Sequence, residues 1–144
     1  MDNWMELTFP SLSVNEGFAR AAAAAFASLL NPTIDELSDL RTAVSEAVTN
    51  AIIHAYGNDR TAMITLRCEA EGKKLRIVVK DMGCGIADIE LARRPFYTSK
   101  PELERSGRGF AVMEAFMDSV EIESAPGEGT AVTMEKQIGA ERED

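Results

Sequence analysis

The hydrophobic pattern of this 144-residue chain changes its period near residue 60. Between Ser13 and Tyr56 apolar residues recur at helical spacing, whereas Ile64 to Cys68 alternate with polar residues. Leu75, Ile77 and Val79 alternate with Arg76 and Lys80, although the apolar Val78 interrupts the polar face. Alternation predicts strands, and Glu71-Gly72-Lys73 predicts the turn that joins them as an antiparallel hairpin. Segregated helices and hairpin-linked strands favour an α+β fold over an alternating parallel-sheet fold.

Two helices are predicted before the change of period, each with a start signal. Ser13 and Glu16 have the spacing of a capping box, and the alanine-rich helix that follows should end at about Leu30, before Asn31-Pro32. Thr33 and Glu36 repeat this signature and open a second helix that should reach roughly Tyr56, with Gly57 placed to close it. The apolar stripe of the second helix predicts its core contact and consists of Leu37, Leu40, Val44, Val48, Ala51 and Ala55.

The remaining elements complete a two-layer sandwich. Further strands are predicted at Met5–Phe9, Val120–Ile122 and Thr130–Glu135, a helix at Phe110–Met117, a short helix at Asp88–Arg93 and a long loop at Arg94–Ser106. The predicted fold is a layer of helices over a mixed, mainly antiparallel sheet. Residues 1–139 are expected to form one domain and residues 140–144 a polar tail.

Composition excludes several classes of function. The chain has 15 Lys and Arg against 24 Asp and Glu, a net charge of −9, so there is no general attraction to nucleic acid or anionic membranes. Cys68 and Cys84 cannot form a disulfide framework, and with a single histidine they make a poor zinc site. The longest small-apolar stretch, Ala21 to Ala25, is far too short to span a bilayer. We therefore expect a soluble, cytoplasmic domain.

The first cluster of candidate catalytic and metal-binding residues lies on the second predicted helix. Glu46, Asn50 and His54 are spaced by four and should follow one side of that helix, away from the apolar stripe. The Asn50 side-chain oxygen suits a hard cation such as Mg²⁺, and Glu46 suits proton acceptance. Taken alone, this segment is more typical of a solvated helix face.

The second cluster follows the hairpin. Counting in twos from Leu75 puts Asp81 on the buried side of its strand, at the point where the strand ends. An inward carboxylate needs donors, and the exocyclic amine of a purine is one candidate. Gly83 and Gly85 would let the backbone approach a flat ligand closely. The alternative is an aspartate that caps its own turn.

The third cluster is a glycine pair, Gly107 and Gly109, directly before a predicted helix. Free N–H groups at a helix start form an anion site suited to phosphates. The preceding loop, residues 93–108, has five basic and two acidic residues, a local charge of +3 in a chain of net charge −9. A lone Gly-x-Gly motif is a weak signal for a phosphate site. The alternative is a basic loop that is solvated and binds no ligand.

The three clusters occur in an order that resembles the GHKL superfamily of ATPases and kinases. Three longer segments, which are Asn15–Arg20, Val44–His54 and Thr98–Gly107, are similar to the anti-sigma F factor family of sporulation kinases. The resemblance covers nearly the whole chain. The chain departs from the family pattern at Ala55, Cys84 and Arg108, where the motif spacing is unaffected.

This resemblance implies a role for each matching residue. Asn50 would coordinate Mg²⁺ on the ATP phosphates, Asp81 with Thr130 would accept the adenine amine, and Glu46 would take the proton from a substrate serine. Arg105, in a lid over ATP, would approach the terminal phosphate. The other residues that the resemblance assigns to nucleotide binding are Gly83, Gly85, Thr98, Gly107 and Gly109.

The resemblance also implies protein partners. They are an anti-anti-sigma protein phosphorylated on serine and an RNA polymerase sigma factor held inactive, with Glu16 and Arg20 at the contact and a homodimer as the working form. A second hypothesis is a nucleotide-dependent sequestering module without catalysis, which would need Asn50 but no proton acceptor such as Glu46. A related stress-response anti-sigma kinase with a different partner is a further alternative. The ATPase part of a larger histidine kinase or DNA enzyme ranks last, because no transducer or dimerisation domain is visible.

Overall fold

A computed structural model describes residues 2–55, 62–82, 109–124 and 127–139 of the chain. Its strands are β1 (Asn3–Pro10), β2 (Met63–Glu71), β3 (Lys74–Asp81), β4 (Ser119–Ser124) and β5 (Thr130–Gln137). Its α-helices are α1 (Val14–Ala27), α2 (Ile34–Asn50) and α3 (Gly109–Phe116), with a 3₁₀ turn at Ser28–Leu30 and a π-helical turn at Ala51–Ala55. The predicted helix at Asp88–Arg93, the loop at Arg94–Ser106 and the tail at 140–144 lie outside the described residues.

The sheet has the strand order β1-β2-β3-β5-β4, and every pairing between these described strands is antiparallel. The predicted hairpin is confirmed, since β2 and β3 pair from Glu71↔Lys74 to Ile64↔Asp81. Gly72 takes φ +59° in the turn, a conformation that suits glycine. The predicted α+β fold class is confirmed as helices packed on a sheet, and all the pairings of its described strands are antiparallel.

The core lies between the helices and one face of the sheet. On β3, Leu75, Ile77 and Val79 are buried while Lys74, Arg76 and Lys80 are exposed, as alternation requires when one sheet face is covered. On α2, the predicted apolar stripe is buried at Leu40, Val44, Val48 and Ala51, and Leu37 packs against the core while partly exposed. The Ala55 side chain lies outside the described part.

One of the two predicted capping boxes is confirmed. Thr33 Oγ1 accepts from the Glu36 N–H at 3.1 Å, and Glu36 Oε1 accepts from the Thr33 N–H at 2.8 Å. The capping box predicted at Ser13 is wrong, because Ser13 has helical backbone angles of φ −58° and ψ −30° and makes no side-chain cap bond. A capping side chain needs extended backbone to reach its N–H. The Glu16 carboxylate bonds Ser45 of α2 instead.

Cys68 is fully buried on β2, where burial raises the pKa of its thiol to about 12. At neutral pH the thiol is therefore protonated and behaves as a small apolar side chain.

Within the described ranges, none of the helices has the length and apolar character that crossing a bilayer would require.

Candidate functional site

Asp81 is the last residue of β3, and its side chain is 5% exposed. It lies in register with Ile64 of β2 and with Thr130 of β5. Side chains of directly paired residues share one face of a sheet, and Ile64 is fully buried on the face that the helices cover. The carboxylate therefore belongs to the inner face at one edge of the core, as the alternation in the sequence predicts.

Thr130, the first residue of β5, is 8% exposed and is held by β4. The Ser124 hydroxyl donates to the Gly129 carbonyl at 2.9 Å and lies 2.8 Å from Thr130 Oγ1. Because a serine hydroxyl has one hydrogen, Thr130 is the donor in this pair and its oxygen keeps acceptor capacity. Sequence reasoning missed Ser124: its alternation with Val120 and Ile122 indicates its face of β4, but its partner Thr130 follows only from the register of β4 with β5.

Gly129 brings the start of β5 against the end of β3. Its φ is +81°, and a Cβ added there would overlap the Asp81 carbonyl oxygen and lie 2.8 Å from the Met82 Cα. Only a residue without a side chain allows this approach. The backbone beside the Asp81 carboxylate is therefore fixed by a glycine.

We expect Gly129→Ala to lower the free energy of unfolding by about 2–4 kcal/mol, which combines left-handed strain with overpacking. Gly127→Ala is the matched control, because Gly127 has φ +79° and nothing within 4 Å of an added Cβ. The free energy of unfolding of the control should fall by only about 1 kcal/mol, which is the cost of left-handed strain alone. Urea denaturation of both variants measures the difference, and equal losses would contradict the close approach at Gly129.

Glu46 and Asn50 lie one turn apart near the end of α2, and both side chains are half-buried. Directly after Asn50 the helix continues as the π-helical turn Ala51–Ala55. Such turns are rare and frequently occur at functional sites. The side chain of His54 lies outside the described part, so its alignment with Glu46 and Asn50 stays a prediction.

The described members of the three clusters lie on neighbouring elements. α2 and the π-helical turn that follows it pack against β3, which carries Asp81, and α2 packs along α3, which begins at Gly109. Among the described residues, no group of three or more His, Cys, Asp or Glu side chains could hold a metal ion. The predicted site residues that lie outside the described ranges are Gly83, Gly85, Thr98, Arg105 and Gly107.

Glu16 and Arg20 of α1 form a cluster with Ser45 of α2. Ser45 Oγ donates to Glu16 Oε2 at 2.7 Å and accepts from Arg20 Nη1 at 3.4 Å. Arg20 Nη1 and Glu16 Oε2 are 3.5 Å apart, an ion pair between residues one helical turn apart. Sequence reasoning missed Ser45, because no local pattern indicates a contact between residues so far apart in the chain.

The described structure is a layer of helices on an antiparallel sheet, with a buried carboxylate at a strand end. The family model described as "Histidine kinase-like ATPase domain" matches residues 9–136, nearly the whole chain. This match defines the class: the chain is a histidine kinase-like ATPase domain, a nucleotide-binding domain.

Curated relatives narrow the class to one family. A protein from Oceanobacillus iheyensis named "Anti-sigma F factor" is 54% identical over 96% of this chain and 94% of its own length. Proteins of the same name from Pasteuria penetrans and Thermoanaerobacter pseudethanolicus are 53% and 54% identical, over 97% of this chain and 94% and 97% of their own lengths. The chain therefore belongs to the anti-sigma F factor family of histidine kinase-like ATPase domains.

Solved structures share the fold at low sequence identity. The RsbU and RsbW domains of Rv1364c from Mycobacterium tuberculosis match 94% of this chain with a TM-score of 0.69 and 20% identity. This chain covers 32% of that longer chain. The mycobacterial sensor histidine kinase MprB matches 69% of this chain and 70% of its own, with a TM-score of 0.54 and 22% identity.

Proposed function

We propose that this chain is an ATP-dependent serine protein kinase that also sequesters an RNA polymerase sigma factor. The observation that carries the proposal is the buried Asp81 carboxylate at the end of β3, beside the close approach of Gly129. The names of the relatives support the anti-sigma role. The match to kinase-like ATPase domains supports the use of ATP.

The residues at this end of the sheet fit an adenine. Asp81 is a buried acceptor for an exocyclic amine, and Thr130 Oγ1 is an acceptor on the neighbouring strand. Gly129 removes the side-chain atoms that would separate the two strands there. A buried carboxylate that accepts hydrogen bonds rejects a base that presents a carbonyl instead of an amine.

The end of α2 fits the phosphate-bound metal. The Asn50 amide oxygen is a hard ligand of the kind that Mg²⁺ accepts, and Mg²⁺ usually takes few protein ligands alongside phosphate oxygens. When bound, Mg·ATP supplies the phosphoryl group to be transferred. The resemblance assigns Gly83, Gly85, Thr98, Gly107 and Gly109 to the same nucleotide, and Arg105 would supply positive charge for its phosphates; of these residues only Gly109 lies in the described part of the chain.

Glu46 acts as the proton acceptor in this proposal. It lies one turn before Asn50 on the same side of α2, so both side chains serve one site. Glu46 takes the proton of the substrate serine hydroxyl and makes its oxygen a better nucleophile. A module that only bound nucleotide and sigma factor would not need this carboxylate, which favours the enzyme over the second candidate.

The deciding experiment mixes the purified chain with radiolabelled ATP, Mg²⁺ and an anti-anti-sigma protein that carries the acceptor serine. Phosphoserine on that protein supports the kinase. Its absence, with sigma-factor binding intact, leaves the sequestering module. A serine-to-alanine variant of the anti-anti-sigma protein is the control for the site of labelling.

The Asn50→Ala variant should lose most of its Mg²⁺-dependent affinity for ATP, because alanine has no oxygen for the metal. Isothermal titration with ATP, in the presence of Mg²⁺ and in the presence of EDTA, measures this loss. The fold should be intact because Asn50 is half-buried at the end of α2, and circular dichroism serves as the check. ATP affinity equal to that of the wild type in Mg²⁺ would remove Asn50 from the metal site.

We also propose that Glu16 and Arg20 contact the protein partners and that the chain works in the cytoplasm as a homodimer. The partners are an F-type sigma factor and the anti-anti-sigma substrate. A nucleotide that binds the two complexes with different affinity would decide which partner is held. Sedimentation of the purified chain with ADP and with ATP tests the oligomeric state.

A further inference from the structure

The cluster of Glu16, Arg20 and Ser45 is closed, because each side chain contacts the other two. Ser45 is its one member from α2, and it stands directly before Glu46. The Arg20 side chain is 40% exposed and that of Glu16 is 26% exposed. The guanidinium therefore has one side in the cluster and one side toward solvent.

Arg20 keeps hydrogen-bonding capacity outside the cluster. In the part of the chain that the structure describes, its contacts with Glu16 and Ser45 use Nη1. Arg20 Nη2 lies 3.6 Å from the Cβ position of Gly17, so the guanidinium lies back along α1. Nε and Nη2 can donate to a carboxylate of a partner in the paired geometry that arginine favours.

The hydroxyl of Ser45 is what fixes this arrangement. An exposed Glu–Arg pair one turn apart on a single helix is weak and does not hold a long side chain in one rotamer. The bond from Ser45 to the Glu16 carboxylate is short and charge-assisted, and it ties that carboxylate to a second helix. Arg20 then meets two fixed acceptors, so less rotamer freedom remains to be lost on binding.

We propose that Ser45 is a positioning residue, which holds Glu16 and Arg20 in the conformation that the protein partner recognises. The inference rests on the proposed function, because it takes Arg20 as a partner contact. Ser45 itself needs no contact with nucleotide or partner. It sets the affinity for the protein substrate and leaves the chemical step unchanged.

A double-mutant cycle tests this role with a purified F-type sigma factor and the anti-anti-sigma protein as probes. Ser45→Ala should weaken binding of each protein about fivefold, the effect of one lost hydrogen bond. Arg20→Ala should weaken it about tenfold or more, and the loss in the double variant should be smaller than the product of the two single losses. In the phosphorylation assay, Ser45→Ala should raise KM with kcat unchanged.

Two further variants separate positioning from general stability. Ser45→Thr keeps the hydroxyl and should restore binding. Thr42→Ala removes a hydroxyl one turn away that bonds only its own helix, at Ser38 O, and should bind both partners normally. Ser45→Ala should match Thr42→Ala in its unfolding midpoint and nucleotide affinity.

Several results would overturn the inference. They are wild-type partner affinity for Ser45→Ala, a loss in the double variant equal to the product of the single losses, or a nucleotide affinity lowered by Ser45→Ala. An Arg20→Ala variant without effect would instead remove the proposed partner surface itself, and with it this role of Ser45. The kinase proposal would be untouched by any of these outcomes.

Discussion

The Glu46→Gln variant should transfer phosphate to the serine substrate about 10²–10⁴-fold more slowly than the wild type. Glutamine keeps the shape of the side chain and its place on the half-buried side of α2, but it cannot accept the serine proton. Binding of ATP, ADP and the sigma factor should be unchanged, because none of these steps moves a proton to Glu46. Single-turnover formation of phosphoserine measures the chemical step directly.

Asp35→Asn is the matched control for this variant. It makes the same kind of change at the opposite end of α2, at an exposed residue in the first turn. The control should phosphorylate the substrate at the wild-type rate. Near-normal single-turnover kinetics in Glu46→Gln would refute the assignment of Glu46 as the proton acceptor, whatever the control does.

The Asp81→Asn variant should bind ATP and ADP about 10–100-fold more weakly, which is the range for loss of a hydrogen bond to a buried charge. Asparagine has one acceptor oxygen in place of two and brings its own N–H₂ group to a site built for an incoming amine. Discrimination between ATP and GTP should narrow for the same reason. Titration with the four nucleotides ATP, ADP, GTP and GDP measures both effects.

Asp118→Asn is the matched control, because it removes an acid that lies directly before β4. Asp118 Oδ2 accepts a hydrogen bond from the Gln137 N–H at 2.7 Å. Gln137 is the last residue of β5, whereas Thr130 is the first, so this contact lies at the other end of the strand. The control should bind nucleotide like the wild type. If the affinity of Asp81→Asn for ATP were also unchanged, the assignment of Asp81 to adenine binding would be wrong. The alternative, that Asp81 caps its own turn, would then replace it.

The sequence predicted the elements wherever a local pattern is sufficient to decide them. The hairpin of β2 and β3 follows from alternation around Gly72, and the start of α2 follows from Thr33 and Glu36. The inward position of Asp81 follows from the same alternation, counted from Leu75. Strand period and capping spacing act within a few residues, so they are readable without the fold.

The same reasoning failed at Ser13, and the cause lies in tertiary structure. Ser13 and Glu16 have the spacing of Thr33 and Glu36, but the helical backbone of Ser13 prevents the cap. The Glu16 carboxylate is instead bonded to Ser45, 29 residues away. A local pattern shows which bond a side chain can make, whereas packing decides which bond it does make.

By itself the sequence determined the α+β class, most helix and strand positions, the inward face of Asp81 and the resemblance to one family. The tertiary structure alone decided three contacts: the closeness of Gly129 to the Asp81 backbone, the pairing of Ser124 with Thr130, and the bridge from Ser45 to Glu16 and Arg20. Each of these depends on how strands or helices are placed against each other. That placement is set by burial of the whole core, and no short stretch of sequence encodes it.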